Sequence, residues 1–214
     1  MKTSIKNLFA ATLTLIVLTG SAFASSAVKE KNITVLNQVK NINKIVVNGN
    51  VEVILVQAPT ESVKVYDSYY AKNALVQQQE GVLRISSFQK ETLTVAVYVR
   101  NLSSIEAADN SIIKTFGKVN FLSLAVILKD KATADINAST ISLYTSVKDN
   151  ASLKLSGTTT DHTAMLGSLA KMSMDQFTAE TTYVRSIAPV YAKTTTVVAA
   201  QTLDSLLIDD ELGK

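Results

Sequence analysis

The sequence predicts an all-β protein, a right-handed parallel β-helix (solenoid) whose coils contain about 20 residues each. Three observations predict the solenoid. Apolar and polar residues alternate in most segments, no segment sustains the apolar stripe of an amphipathic helix, and small residues recur at nearly constant intervals. The same alternation is typical of an antiparallel β-sandwich, in which strands follow one another about every 8–12 residues. The sandwich is therefore the alternative fold.

The first half of the chain contains four segments with the two-residue period of β-strands. They read "KIVVNGNVEVILVQ" (44–57), "ESVKVY" (61–66), "GVLRISS" (81–87) and "TLTVAVYVR" (92–100). Asn48 and Gly49 lie between two β-branched runs, and both residue types tolerate the positive φ of a tight turn. Only the stretches around 67–78 and 171–177 are compatible with short helices, so strands and turns dominate the prediction.

The second half of the chain contains a repeat. "KDKATADIN", which begins at Lys129, is echoed by "KDNASLKLSG", which begins at Lys148. Aligning the small residue of each unit gives a series spaced by about 20 residues: Ser111, Ala132, Ala151, Ser168 and Ala188. A five-residue strand covers about 17 Å, so about 20 residues suffice for two or three strands that return to their start. We therefore predict that residues 148–150 form a corner and that Ala151 fits its tight inside.

The N terminus is typical of a secretory signal peptide. Lys2 and Lys6 precede a short apolar run at residues 8–19, and "AFA" (22–24) supplies small residues for cleavage after Ala24. The expected organisation is a signal peptide (1–24), an N-terminal arm (25–41) and a single β-helix domain (42–214). This predicts export to the periplasm or the cell surface of a Gram-negative bacterium.

Composition excludes several classes of protein. Removing the signal peptide with its two lysines lowers the formal charge from +3 to +1. The mature chain then lacks the excess of positive charge that is typical of proteins that bind nucleic acid. The chain contains no cysteine, so apolar burial rather than disulfide bonds must stabilise an exported domain. After residue 24 no apolar run reaches the length of a transmembrane helix, so we expect no transmembrane segment in the mature chain.

Most of the mature sequence resembles one known family. The segments "INKIVVNGNVEVILVQ", "ESVKVY", "EGVLRIS", "VAVYVRNLSSIEAADNS" and "KDNASLKLSG" are similar to the head GIN domain family of putative auto-transporter adhesins, over about residues 42–200. The resemblance implies a right-handed parallel β-helix, export, and a source among Bacteroidetes-type bacteria, and it carries no catalytic residue set. The family's corner glycine is kept only at Gly167 and is replaced by Asn110, Lys131 and Asn150, of which the lysine fits a left-handed corner least.

Two features of the sequence are candidate sites of chemistry. His162 is the only histidine, so a Ser-His-Asp triad would depend on this one residue, and a partly buried or corner histidine, aligned with Thr145, is the simpler interpretation. Asp109, Asp130 and Asp149 recur at the corners, about 20 residues apart. Aspartate is typical of turns, although a row of carboxylates stacked along one edge of the solenoid is also compatible with a calcium-binding site. We expect no catalytic residues, no cofactor and no resident metal.

Tyr66, Tyr69 and Tyr70 are the best local candidates for a ligand-contact patch. They group three aromatic rings in "YDSYY", and aromatic side chains bring a large apolar surface with a polar tip. The predicted function is therefore that of an exported, non-enzymatic, adhesin-like module that binds glycan, envelope or protein surfaces. A carbohydrate-active enzyme on a β-helix scaffold and a purely structural envelope protein are the alternatives.

Overall fold

The structure, a computed structural model, describes residues 33–66 and 74–187. These residues form fourteen strands: β1 (Ile33–Leu36), β2 (Lys44–Gly49), β3 (Val51–Gln57), β4 (Ser62–Tyr66), β5 (Ala74–Gln79), β6 (Val82–Ser87), β7 (Leu93–Val99), β8 (Ser104–Ala107), β9 (Ile112–Thr115), β10 (Val119–Asn120), β11 (Ser123–Leu128), β12 (Thr133–Val147), β13 (Ser152–Gly167) and β14 (Lys171–Ile187). The described residues include no helix that is long and apolar enough to cross a membrane. The signal peptide, part of the N-terminal arm, Ala188 and the rest of the C terminus lie outside these ranges.

The strands form where the sequence alternates. In β2, Ile45 and Val47 are buried while Lys44 and Val46 point to the other side, and β3, β4 and β6 follow the same two-residue pattern. The segments that were compatible with helices are strands as far as they are described, since 74–79 forms β5 and 171–187 forms β14. The prediction of an all-β protein is therefore confirmed.

The predicted parallel β-helix is wrong. The fourteen strands belong to one mixed sheet, whose main path runs β1-β4-β7-β3-β9-β12-β11-β8-β2-β6-β5. A parallel β-helix requires parallel neighbours throughout, whereas β1 with β4, β4 with β7 and β5 with β6 pair antiparallel. The sandwich alternative is not observed either, because the described strands do not divide into two packed antiparallel sheets.

A tight turn explains one of the antiparallel pairs. Glu80 and Gly81 join β5 to β6, and both have positive φ, 50° and 76°. Two successive residues with positive φ are typical of the type I′ turn, which reverses the chain between paired strands. A β-carbon on Gly81 would lie 2.6 Å from Asn43 Nδ2, so the side of the turn is also crowded. The alternation of apolar residues carries no information about such a reversal.

The sheet curls around one apolar core. The long strand β12 pairs with β9 through residues 133–135 and with β11 through residues 142–147. The sheet therefore bends along β12 and turns its two halves towards each other. Residues from both halves, such as Val53 and Val97 on one side and Ile45 and Val126 on the other, belong to the same buried cluster. The result is a curled half-barrel.

The repeat in the sequence corresponds to parallel pairing within part of this sheet. Ile105 pairs with Val126, Val126 with Thr145, and Thr145 with Ala164. The predicted step from Ala151 to Ser168 is wrong, because Ser152 pairs with Lys171, which places Ala170 rather than Ser168 opposite Ala151. Ala132 and Ala151 are fully buried, as expected for the tight inside of a corner.

The corners use aspartate as the left-handed residue. Asp109, Asp130 and Asp149 have φ values of 60°, 57° and 54°, whereas the sequence alignment placed this conformation one residue later, at Asn110, Lys131 and Asn150. Aspartate is one of the few non-glycine residues that adopt this region readily, because its carboxylate hydrogen-bonds to nearby backbone. Lys131 therefore needs no special corner geometry.

Candidate binding face

One side of the curled sheet is a broad parallel layer. Seven strands lie in the order β6-β2-β8-β11-β12-β13-β14, and every neighbouring pair is parallel. At about 4.8 Å per strand the layer extends for about 29 Å. The inward residues of β6 to β13 are mostly buried in the core, whereas those at the end of β14, such as Val184, are exposed, and no described residues form a layer over the outward residues. Parallel sheets usually have both faces covered, so this uncovered face is the first place to look for a partner.

The outward residues form two rows across the strands, which we call the outer face. The first row consists of Val82, Lys44, Ser104, Ala125, Tyr144, Thr163 and Tyr183. The second row consists of Arg84, Val46, Glu106, Ile127, Ser146, Met165 and Arg185. Their centre is rich in apolar and aromatic side chains, and charged residues flank it.

Two tyrosines dominate the outer face. Tyr144 on β12 and Tyr183 on β14 lie in the same row, separated by Thr163 on β13, which places them about 10 Å apart. The Tyr144 hydroxyl donates a hydrogen bond to Met165 Sδ at 2.9 Å, which fixes its ring against the face. Tyr183 is 65% exposed. Tyrosine combines a large rigid contact area with a polar tip, and for this reason it is enriched at binding surfaces.

Charged groups define the border of the outer face. Lys44 Nζ and Glu106 Oε1 are 2.6 Å apart and form a partly exposed ion pair on β2 and β8. Glu106 and Ile127 also line a shallow depression of about 60 Å³. Arg185 is exposed on β14, at the opposite end of the second row. The arrangement, an apolar and aromatic centre with a charged rim, is the usual anatomy of a recognition surface.

His162 is a buried structural residue. It is 2% exposed, its ring packs edge-on against Phe177 with centroids 5.3 Å apart, and its Nε2 lies 3.0 Å from Thr145 Oγ1. Burial lowers the pKa of the imidazole below its usual value. Its register also differs from the predicted one, because it pairs with Leu143 rather than sharing a row with Thr145. A ring enclosed in this way has no access to a substrate.

The corner aspartates bind backbone rather than a ligand. Asp109 Oδ2 accepts a hydrogen bond from the Gly49 amide at 2.9 Å. Asp130 Oδ2 accepts one from the Asp109 amide, and Asp149 Oδ2 one from the Asp130 amide, both at 3.2 Å. Each carboxylate therefore stabilises, by a hydrogen bond to its backbone, a turn that comes earlier in the chain. Within residues 33–66 and 74–187 no group of three or more histidine, aspartate or glutamate side chains is arranged to hold a metal ion.

The predicted tyrosine patch is only partly within the described residues. Tyr66 is partly buried at the end of β4 and pairs with Ile33. Tyr69 and Tyr70 lie outside the described residues, so this patch stays a prediction. Sequence reasoning missed Tyr144 and Tyr183, because only the register between β12, β13 and β14 brings them into one row.

A second candidate site is a polar groove between two loops, which we call the loop groove. It has a volume of about 240 Å³ and lies between residues 37–41, which follow β1, and residues 59–61, which precede β4. Lys40, Glu61 and Arg100 supply its charges. Six of its eight lining residues are polar or charged, and Val39 and Pro59 add apolar surface.

Comparisons with known proteins agree with this architecture. The family model described as "putative auto-transporter adhesin, head GIN domain" matches residues 41–203. No curated protein matches the sequence. Because the family model covers about three quarters of the chain, it establishes membership as well as resemblance.

Three solved structures share the fold. A putative adhesin from Bacteroides fragilis has a TM-score of 0.61 at 14% identity, covering 74% of this chain and 78% of that one. A putative adhesin from Parabacteroides distasonis has a TM-score of 0.57 at 13% identity, covering 73% and 78%. A protein described as a putative lipid binding protein, also from Parabacteroides distasonis, has a TM-score of 0.57 at 8% identity, covering 72% and 78%. At these identities the likeness concerns the fold alone, and together with the family model it supports one conclusion: this chain belongs to the family of putative auto-transporter adhesins with a head GIN domain.

Proposed function

We propose that this protein is an exported, non-enzymatic binding module whose outer face contacts a glycan, envelope or protein surface. The observation that carries the proposal is the parallel layer whose outward residues have no further layer over them among the described residues, with Tyr144 and Met165 in its interior and Tyr183 on its edge strand β14. Exposed apolar and aromatic patches with a charged rim are typical of interaction sites in proteins that are otherwise polar outside.

Membership of an adhesin family supports this proposal. The family and two of the structural neighbours are described by adhesion rather than by a reaction. The signal-peptide pattern of residues 1–24 supports export to the periplasm or the surface. The outer face also offers the extended, regularly spaced surface that a polymeric or planar partner requires, because its rows repeat at the strand spacing.

A combined binding and turnover assay tests the proposal. The mature chain (25–214) is applied to an array of bacterial and host glycans and to immobilised envelope fractions, and the supernatant is analysed for shortened saccharides. We expect retention on at least one surface without any released product. Depolymerisation of a glycan would overturn the non-enzymatic assignment in favour of a carbohydrate-active enzyme, and no retention on any surface would overturn the binding assignment.

A further inference from the structure

The walls of the loop groove are held by specific hydrogen bonds. Gln78 on β5 fixes Lys40 through both of its backbone groups, because the Lys40 amide donates to Gln78 Oε1 at 3.0 Å and the Gln78 amide group donates to the Lys40 carbonyl. On the other side, the Ala58 amide donates to the Val99 carbonyl at 2.8 Å. Both loops are therefore positioned before any ligand arrives, which lowers the entropic cost of binding.

Arg100 lines the groove, and its guanidinium group is anchored on the Pro59 carbonyl. Its Nε and one Nη2 hydrogen donate to the Pro59 carbonyl, at 3.3 and 3.1 Å, which uses the side edge of the group. The end edge, formed by Nη1 and the second Nη2 hydrogen, has no partner among the described residues. Two parallel N–H groups at this edge match the two oxygens of a carboxylate. The bond to Pro59 thus orients the group without occupying its most selective edge.

The charges of the groove favour an anion with a single charge. Lys40 and Arg100 contribute two positive charges and Glu61 one negative charge, which leaves a net charge of +1. Neither cation forms an ion pair with any described carboxylate, since the described ion pairs involve Lys44, Lys114 and Lys154. A phosphate dianion would meet the Glu61 carboxylate with excess negative charge, whereas a monocarboxylate balances the groove.

The remaining lining suits hydroxyl groups. Asn37, Asn41 and Thr60 provide amide and hydroxyl groups that both donate and accept hydrogen bonds, and the Glu61 carboxylate accepts them. The volume of about 240 Å³ is below the range of drug-sized pockets, so it suits a single small ring. The groove therefore combines a guanidinium group that can bind a carboxylate with several side chains that can hydrogen-bond to hydroxyl groups on the same ligand.

We propose that the loop groove is a binding site for a carboxylated sugar unit, held through its carboxylate by Arg100 and Lys40 and through its hydroxyls by the polar lining. This inference deepens the proposed glycan binding and rests on it, but it assigns a second site, distinct from the outer face. Glu61 makes the site selective, because its carboxylate repels groups with a higher negative charge.

Calorimetric titration of the mature chain with galacturonate, a single ring with one carboxylate, tests the inference. Its methyl ester is the matched ligand control, since it keeps the ring and loses the charge, and inorganic phosphate is the control for anions in general. We expect galacturonate to bind and the ester and phosphate to bind at least about tenfold more weakly. Absence of galacturonate binding, equal binding of acid and ester, or tighter binding of phosphate would each overturn the inference.

Variants locate the site. Arg100→Gln and Lys40→Met are each expected to weaken galacturonate binding about tenfold or more, while Lys118→Met, an exposed lysine outside the groove, leaves it unchanged. Lys40→Met keeps both backbone bonds to Gln78 and therefore remains informative if Arg100→Gln fails to fold. Unchanged binding by Lys40→Met would contradict the site. Retention on the array together with a negative galacturonate titration would overturn the loop groove as a binding site without affecting the proposed binding by the outer face.

Discussion

Individual side chains in the stacked strands stabilise the protein by burial and by hydrogen bonds to backbone. His162 is one of the buried side chains. Its Nε2 lies within hydrogen-bond distance of Thr145 Oγ1, whereas its buried Nδ1 has no partner among the described residues. Thr145 in turn approaches Met172 Sδ at 3.9 Å, so the consistent arrangement has Nε2–H donating to Thr145 and the Thr145 hydroxyl directed at the sulfur. The neutral imidazole is thus the form that the fold accommodates.

The first prediction concerns pH. Burial lowers the pKa of His162 in the folded state. Below about pH 6.5 the imidazole therefore binds a proton more readily in the unfolded chain than in the folded chain. The free energy of unfolding should therefore fall as the pH decreases from about 7.5 to 5.5, with a slope of at most about 1.4 kcal/mol per pH unit, and should not depend on this residue at higher pH. Urea denaturation at several pH values measures this slope.

His162→Gln is the control for this experiment, because the chain contains no other histidine. The variant should lose the slope between pH 7.5 and 5.5 even if it is less stable at every pH. A slope of the same size in the variant would show that another group titrates in this range.

The second prediction concerns the corner aspartates. Asp130→Ala should destabilise the protein by about 1–2 kcal/mol, because it removes the acceptor of the Asp109 amide and leaves a non-glycine residue at φ 57° without a compensating hydrogen bond. Asp130→Gly relieves the backbone strain and should cost less, and Asp130→Asn keeps an acceptor and should cost least. Urea denaturation of the three variants measures the order, and equal stabilities would contradict the account of the corners.

At the scale of whole strands, the register between β12 and β13 depends on close backbone contact. Gly157 has a φ of 103°, and a β-carbon at this position would collide with the Ala138 carbonyl oxygen of the neighbouring strand. The register between β13 and β14 shifts close by, between Lys154 and Ser156, so the strands adjust to one another in this region. The strands can approach each other here only because one residue lacks a side chain.

The third prediction tests this contact. Gly157→Ala should destabilise the protein by about 2 kcal/mol or more, since the added methyl group meets backbone atoms that cannot move independently. Gly117→Ala is the matched control, because Gly117 also has positive φ, 75°, but a β-carbon there meets nothing within 4 Å. The control should cost about 1 kcal/mol from backbone strain alone. Thermal unfolding of both variants measures the difference. Equal destabilisation of the control would show that the contact with the Ala138 backbone does not contribute.

The fourth prediction concerns the inside of the corners. Ala132 and Ala151 are fully buried next to the turns at Asp130 and Asp149. Ala132→Trp or Ala151→Trp should prevent folding, because an indole overfills a site in which even smaller additions cost about 1–3 kcal/mol. Expression of soluble protein with a wild-type circular dichroism spectrum from both variants would contradict the assigned burial.

Strands were easier to predict than their directions. The alternation in β2, β3, β6 and β7 is unambiguous, because one face of each strand is buried. The antiparallel partners of β4 and β6 were missed, since alternation is identical for both directions and Glu80-Gly81 is not one of the commonest hairpin sequences. The parallel register around Ala132 and Ala151 was predictable because the corner motif that begins at Lys129 recurs at Lys148.

At the scale of the whole molecule, the curled sheet accounts for both the stability and the surface. Folding along β12 buries the inward residues of both halves in one cluster, which is necessary in a chain without cysteine. The same curl leaves the outward residues of seven parallel strands facing away from the core. Tyr144 and Tyr183 were not predictable as a pair, since they lie far apart in the sequence and only the observed register makes them neighbours in one row.

The measurement that most directly tests the account compares binding by three forms of the mature chain to the surface that retains it on the array. These forms are the wild type, Tyr144→Ser/Tyr183→Ser, and Tyr98→Ser, a control in which a partly buried tyrosine is removed from β7 in the other half of the sheet. Surface plasmon resonance at a temperature at which all three forms are folded should show about tenfold weaker binding by the double variant and wild-type binding by the control. Wild-type affinity in the double variant, or an equal loss in the control, would contradict the assignment of the outer face as the binding surface.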